Sequence, residues 1–212
     1  MNEKIDTAGF NIGNIAGNGK AGNLLNVKGM KRGNWSYFFS PMVRFEENGQ
    51  NFLFSHSADG NKIKLSSLTS GGEGQVFIDD KWHWYYNSQV PFVENGKNYI
   101  FCYSNRGNRW FISELSTKWN GQSELRCGNW ARYYPSVTAF VHLGKPIAYF
   151  HSEKDRRWFM WELSTDRKTD KDLNNGNLDS FYDTVTSCKE NQACYILAQS
   201  SKTKEFFICP VL

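Results

Sequence analysis

A repeat of 47 to 48 residues runs four times through this chain, and it restricts the fold more than any other feature. Periods of this length mark arrays of one supersecondary unit, in which each copy buries its apolar face against its neighbours. Trp35, Trp82 and Trp130 recur at that interval, and Leu178 takes the place of the fourth Trp. The segments after these markers align without a gap. Phe38-Phe39 matches Tyr85-Tyr86, Tyr133-Tyr134 and Phe181-Tyr182. Phe45 matches Phe92, Phe140 and Cys188, while Gly49, Gly96 and Gly144 coincide with Gln192. His56-Ser57 matches Tyr103-Ser104, His151-Ser152 and Gln199-Ser200. Ile63, Trp110, Trp158 and Phe206 coincide, as do Leu68, Leu115, Leu163 and Val211.

Each copy reads as four short strands. The first spans the double aromatic to the following Phe, as in Tyr133 to Phe140. An Asn48-Gly49 or Asn95-Gly96 turn follows, the favoured chemistry of a two-residue hairpin. The second strand is Asn51 to His56, Tyr99 to Tyr103, or Ile147 to His151. The third is Arg109 to Leu115 or Arg157 to Leu163, and a weaker fourth surrounds Phe77, Leu125 and Leu173. No segment sustains a 3.6-residue apolar period, so almost no helix is expected. The pattern predicts an all-β, four-bladed β-propeller with four antiparallel strands per blade. The blades fall near 35–81, 82–129, 130–177 and 178–212 plus 22–34. The sequence ends after strand three of the last copy, and Met30 occupies the position of Phe77, Leu125 and Leu173. An N-terminal strand within 22–34 is therefore expected to close the last blade and cover its edge. Residues 1–21 form a Gly- and Asn-rich lead-in to the single domain at 22–212.

The consensus is Trp, an aromatic pair, Pro or Ser, Val, Phe, Asn-Gly-Lys, an apolar strand ending before Ser, an Asp/Gly loop and Arg-Trp-Phe, clearest from Trp130 to Leu163. It resembles the blades of small propeller lectins. The four-blade size resembles hemopexin-like domains. That resemblance implies glycan binding. The disulfide joining first and last blades of hemopexin domains has no counterpart, because the first Cys is Cys102.

Composition narrows the classes. Aromatics are 16% of 212 residues and charges 22%, of mixed sign, which excludes a disordered chain. The net charge of +4 is dispersed, so no nucleic-acid footprint is expected. No apolar run reaches the ~18 residues of a membrane span. The N-terminus lacks an apolar signal-peptide core, so a cytoplasmic location is expected. Of five Cys, Cys188 and Cys194 flank a short turn and could bridge; reduced thiols are the favoured reading. Gly17-Asn18-Gly19-Lys20-Ala21-Gly22 fits GxGxxG but lacks the preceding strand and following helix of a dinucleotide site. No cofactor or metal site is expected.

In a propeller, strand one starts and strand two ends on the same face. The aromatic pairs should therefore meet there with polar groups, and an aromatic concavity with a few convergent polar groups suits a small ligand or glycan. The expected binding residues are Tyr37, Phe39, Trp84, Tyr86, Arg132, Tyr134, Tyr182, Asp183, His56, Tyr103, His151 and Gln199. One member of each aromatic pair is expected to pack between blades instead. Three readings stay open. A lectin-like binder comes first. An enzyme with one axial pocket would use His56, His151, Asp183 and Tyr103 as acid–base groups in an isomerase, cyclase or hydrolase. A protein-interaction platform is the third. Arg109, Arg157 and Lys62 recur beside Trp110, Trp158 and Ile63, either as anion or sugar contacts or as cations capping inter-blade aromatics.

Overall fold

The computed structural model describes residues 37–69, 72–104, 106–119, 124–166, 172–190 and 193–211. Blade one comprises β1 (Met42–Glu47), β2 (Gln50–His56), β3 (Lys62–Thr69) and β4 (Gly72–Lys81). Blade two comprises β5 (Ser88–Glu94), β6 (Lys97–Tyr103), β7 (Arg109–Glu114) and β8 (Glu124–Asn129). Blade three comprises β9 (Ser136–His142), β10 (Lys145–His151), β11 (Arg157–Glu162) and β12 (Asp172–Asn177). Blade four contributes β13 (Thr184–Glu190), β14 (Ala193–Gln199) and β15 (Phe206–Pro210). Each blade is an antiparallel meander in sequence order, and together they form a four-bladed β-propeller. A single 3-10 turn at Asp59–Asn61 is the only helical element among the described residues. Among the described residues no helix is long and apolar enough to cross a membrane. The closing strand expected at 22–34 and the lead-in at 1–21 lie outside the described residues.

Strand one starts later than the sequence pattern suggests. In blade three it begins at Ser136, after the Tyr133-Tyr134 pair. The pair sits on a non-strand lead-in, because its backbone is tied to a side chain of the previous blade rather than to a ladder partner. Tyr134 N–H donates to the Tyr103 hydroxyl at 3.1 Å. The equivalent N–H groups of Tyr86 and Tyr182 donate to Nδ1 of His56 and His151, at 3.4 and 3.5 Å.

The hairpin turns follow the sequence chemistry. Asn48-Gly49 and Asn95-Gly96 take φ of 52° and 74°, and 50° and 74°. A type I′ turn needs two residues at positive φ, which Asn tolerates and Gly adopts freely.

Among the described residues the core comprises three seams, between blades one and two, two and three, and three and four. Alternation along each strand sends neighbouring residues to opposite seams. Ile100, Cys102 and Phe111 of blade two pack with Phe54, Ile63 and Leu65 of blade one. Tyr99, Phe101, Tyr103, Trp110 and Ile112 pack the other way, against Phe150, Phe159 and Trp161 of blade three. Ile147, Tyr149 and Met160 meet Cys194 and Ile196 of blade four. The repeat-marking Trp is the hub of each larger seam. Trp130 lies with ring centroids 4.8 Å from Phe150, 5.1 Å from Tyr103 and 5.4 Å from Phe159. Trp82 does the same between Phe54 and Phe111, both at 5.4 Å. Burying a Phe-sized side chain contributes roughly 1.5–3 kcal/mol, so these seams dominate the stability of the ring.

Polar clamps tie the rims of the seams. Glu94, ending β5, accepts from the Ser164 hydroxyl at 2.5 Å and from Thr165 N–H at 2.9 Å in the next blade. Burial pushes the Glu94 carboxyl up, but these bonds and nearby Arg126 outweigh it, and its pKa lies below the ordinary value. Glu47 stands one repeat earlier and accepts from Thr117 N–H at 3.1 Å.

All five cysteines are free. The register explains why Cys188 and Cys194 cannot bridge. Cys188 stands opposite Tyr195, and Cys194 opposite Lys189, so the two thiols point to opposite faces of the sheet.

Candidate functional site

Each expected site residue has a definite place. His56, Tyr103 and His151 are fully buried, since strand two ends inside a seam. Burial pulls His56 down to about 4, against the small upward pull of its bond from Tyr86. Burial also lowers His151 and raises Tyr103. Tyr103 in addition donates to the Arg132 carbonyl at 3.1 Å. These three side chains hold the lead-in of the following blade. Phe39, Tyr86 and Tyr134 are buried, and Tyr182 is half-buried. Their partners in the aromatic pairs are more open, with Phe38 78% exposed. Tyr37, Trp84, Arg132, Asp183 and Gln199 are exposed. Asp183 accepts from Ser201 N–H at 2.6 Å. Burial raises its carboxyl, but the Ser201 bonds outweigh that and hold it below the ordinary value. The expected set is therefore split between seams and surface rather than gathered around one mouth. Among the described residues no group of three or more His, Cys, Asp or Glu is arranged to hold a metal.

Two clefts lie at blade junctions. The first, about 270 Å³, opens between blades one and two. Its aromatic wall is Trp82, Trp84, Tyr86 and Phe111, and its polar wall is Lys81, His83, Arg109, Ser113 and Glu124. Nη2 of Arg109 donates to both Glu124 oxygens, at 2.9 and 2.8 Å. That bond raises the Arg109 pKa, and the buried Tyr86 hydroxyl beside it is pushed up to about 12. The Nε–H of Arg109 is buried without a hydrogen-bond partner. Trp84 is 37% exposed, and the Arg106 guanidinium stacks over it at 5.5 Å.

The repeat allows this junction to be compared with the next one. One copy later, Arg157, Phe159 and Asp172 stand where Arg109, Phe111 and Glu124 do. Ser113, however, is replaced by Trp161, which fills the seam against Trp110 and Trp130. An indole fills the equivalent space from another position: Trp119 donates its Nε1–H to the Ser113 hydroxyl at 2.9 Å and packs on Trp82 and Phe54, as Trp161 packs on Trp130 and Phe101. Lys81, His83, Ser113 and Glu124 were outside the sequence-derived set. The arginines divide likewise. Arg109 engages Glu124, whereas the cation over Trp110 is the buried Arg126, sandwiched between Trp110 and Trp161 at 5.6 and 5.5 Å.

The second cleft, about 870 Å³, lies between blades two and three on the face where strand two ends. Asn108, Arg132, Tyr133 and the loop Ser152–Asp155 line it, and Arg132 is ion-paired to Asp155.

No family model matches the chain, and no curated protein matches it. Solved structures do. A GH43 β-1,3-galactosidase superposes with a TM-score of 0.55 at 16% identity, over 82% of this chain and 42% of that one. The exo-β-1,3-galactanase of Phanerochaete chrysosporium, solved with β-1,3-galactotriose, gives 0.54 at 11% identity, over 81% and 45%. A GH43 β-xylosidase/α-arabinofuranosidase from a compost microbial metagenome, solved with xylotriose, gives 0.52 at 10% identity, over 82% and 74%. The chain thus spans less than half the length of the first two. At these identities the likeness establishes the propeller fold. The resemblance to lectin and hemopexin blades is correspondingly one of architecture.

Proposed function

We propose that the protein is a carbohydrate-binding propeller whose ligand seats in the cleft between blades one and two. The observation that carries this reading is the pairing of a part-exposed indole, Trp84, with a fixed Arg109–Glu124 fork in one cavity. Sugar rings present C–H faces that pack on an indole, and their hydroxyls need donors and acceptors held in place. Glu124 supplies acceptors, held in place by the bonds from Arg109. The three solved propellers named above are glycosidases of carbohydrate chains, which favours the same ligand class. Binding is favoured over hydrolysis. Glycoside cleavage uses two carboxyl groups roughly 5–10 Å apart. The lining of this cleft holds one, Glu124, already paired to Arg109. The His56, His151 and Tyr103 groups of an acid–base reading are sealed in the seams. Because Lys81, Trp84 and Ser113 are replaced by Asn129, Arg132 and Trp161 one repeat later, one site of this kind per chain is expected.

Titration calorimetry with oligosaccharides drawn from a glycan array tests this. Trp84→Ala should weaken binding by about 2 kcal/mol or more, as aromatic anchors do. It should change folding stability by about 1 kcal/mol or less, since the ring is part-exposed. Unaltered affinity in that variant would remove the cleft from consideration, and turnover of the bound sugar would turn the reading to an enzyme.

A further inference from the structure

We propose that this cleft selects acidic saccharides, those carrying a uronate carboxylate, over their neutral counterparts. The proposal rests on the carbohydrate reading and adds the ligand's charge. Three cations surround the cleft: Lys81 and Arg109 in its wall, and Arg106 at its rim over Trp84. One carboxylate, Glu124, faces them, and Arg109 consumes it. Lys81 and Arg106 have no carboxylate partner among the described residues. Neighbouring Asp79 lies 4.0 Å from Lys62, and Asp80 accepts from the Lys81 backbone N–H at 2.7 Å.

The next junction provides the contrast. There Asn129 stands in place of Lys81, and Arg132 in place of Trp84. Arg132 is neutralised by Asp155, and Lys154, the counterpart of Arg106, shares its loop with Glu153 and Asp155. The cations of the second cleft thus have carboxylates beside them, whereas Lys81 and Arg106 at the first have none among the described residues. The Arg106 guanidinium, its carbon 5.5 Å from the Trp84 ring centroid, has no carboxylate of its own among the described residues, and its N–H edge suits a carboxylate in a two-pronged bond. A sugar ring beside Trp84 would bring a carboxylate on its C5 within the span of such an edge and of the mobile Lys81 ammonium. A neutral hydroxymethyl group at the same position leaves both cations to water.

The test uses matched oligosaccharide pairs that differ in one uronate carboxylate against a hydroxymethyl group, together with the methyl ester of the acid. The expected result is about ten- to a hundredfold tighter binding of the acid, the worth of one or two hydrogen bonds to a charged group. Esterification should abolish the preference and added salt should shrink it. Arg106→Gln and Lys81→Gln should each reduce the acid-to-neutral ratio. Equal binding of acid and neutral forms overturns the charge selection and leaves the carbohydrate reading standing. Failure of every pair to bind overturns both.

Discussion

At the residue scale, the repeat allows each side chain to be judged against its counterparts in the other blades. The turn of blade three is one case. Where the first two blades place Asn at the first positive-φ position, blade three places Leu143, at φ 49° and 87% exposed. A branched apolar residue has no compensation there, neither left-handed tolerance nor burial. Leu143→Asn should therefore raise stability by about 0.5–1 kcal/mol, read as a higher denaturant midpoint at unchanged slope. His56 is a second case. Its buried ring resists protonation, so the unfolded chain takes up the proton first. Stability is then full above the unfolded value near 6.5 and is lost as pH falls from there through about 4. The loss is about 3 kcal/mol at most. His56→Gln, which installs the residue of the fourth repeat and keeps an acceptor for Tyr86 N–H, should flatten that part of the pH–stability curve. His151, shifted the same way, should retain a smaller slope. An unchanged curve in the variant would mean the His56 ring is hydrated.

The strands show pairwise accommodation. Trp110 and Trp158 open the third strands of blades two and three, and each lies opposite a glycine of the fourth, Gly128 and Gly176. A Cβ on Gly128 would stand 3.0 Å from the Trp110 ring, and one on Gly176 would stand 3.0 Å from that of Trp158. Blade one has Ile63 in place of the Trp and Asp80 opposite it. The glycines are there to let an indole lie flat across the ladder, so the pair acts as one unit. Gly128→Ala should cost about 1–3 kcal/mol, as overpacking does. Trp110→Ile in the same chain should recover part of that cost, in a double-mutant cycle read by chemical denaturation. Strict additivity would show that the ring moves aside freely.

For the whole molecule, stability depends on how many seams are filled. Blades one to four are joined by three described apolar clusters, one per junction. Blade four ends in β15, where Phe206 and Ile208 are 69% and 57% exposed. An apolar edge of that kind invites pairing with another chain unless something covers it. From the repeat spacing we propose that residues 22–34 take that role. Deleting them should lower the melting temperature sharply and promote association, whereas deleting 1–20 should do little. Equal effects of the two deletions, measured by calorimetry and light scattering, would dismiss the closure.

How much of this was legible beforehand depends on whether the information is local or relational. The fourfold period, the strand ladder, the Asn-Gly turns and the absence of helix were all readable, because each follows from residue order and backbone geometry alone. The start of strand one was not, since the Tyr133-Tyr134 backbone answers to Tyr103, about thirty residues away, rather than to its neighbours. The site was legible only in part. Trp84, Tyr86 and Arg109 stood out by type. Whether an aromatic lines a cleft or fills a seam depends on what faces it from the next blade: Trp119 fills the first seam and Trp161 the second, from positions that the repeat does not align. His56 and His151 show the same limit from the other side. Their recurrence at one repeat position was visible in the sequence, but only the packing of successive blades turned them inward, where desolvation suppresses their charge and leaves them to hold the backbone of the next blade.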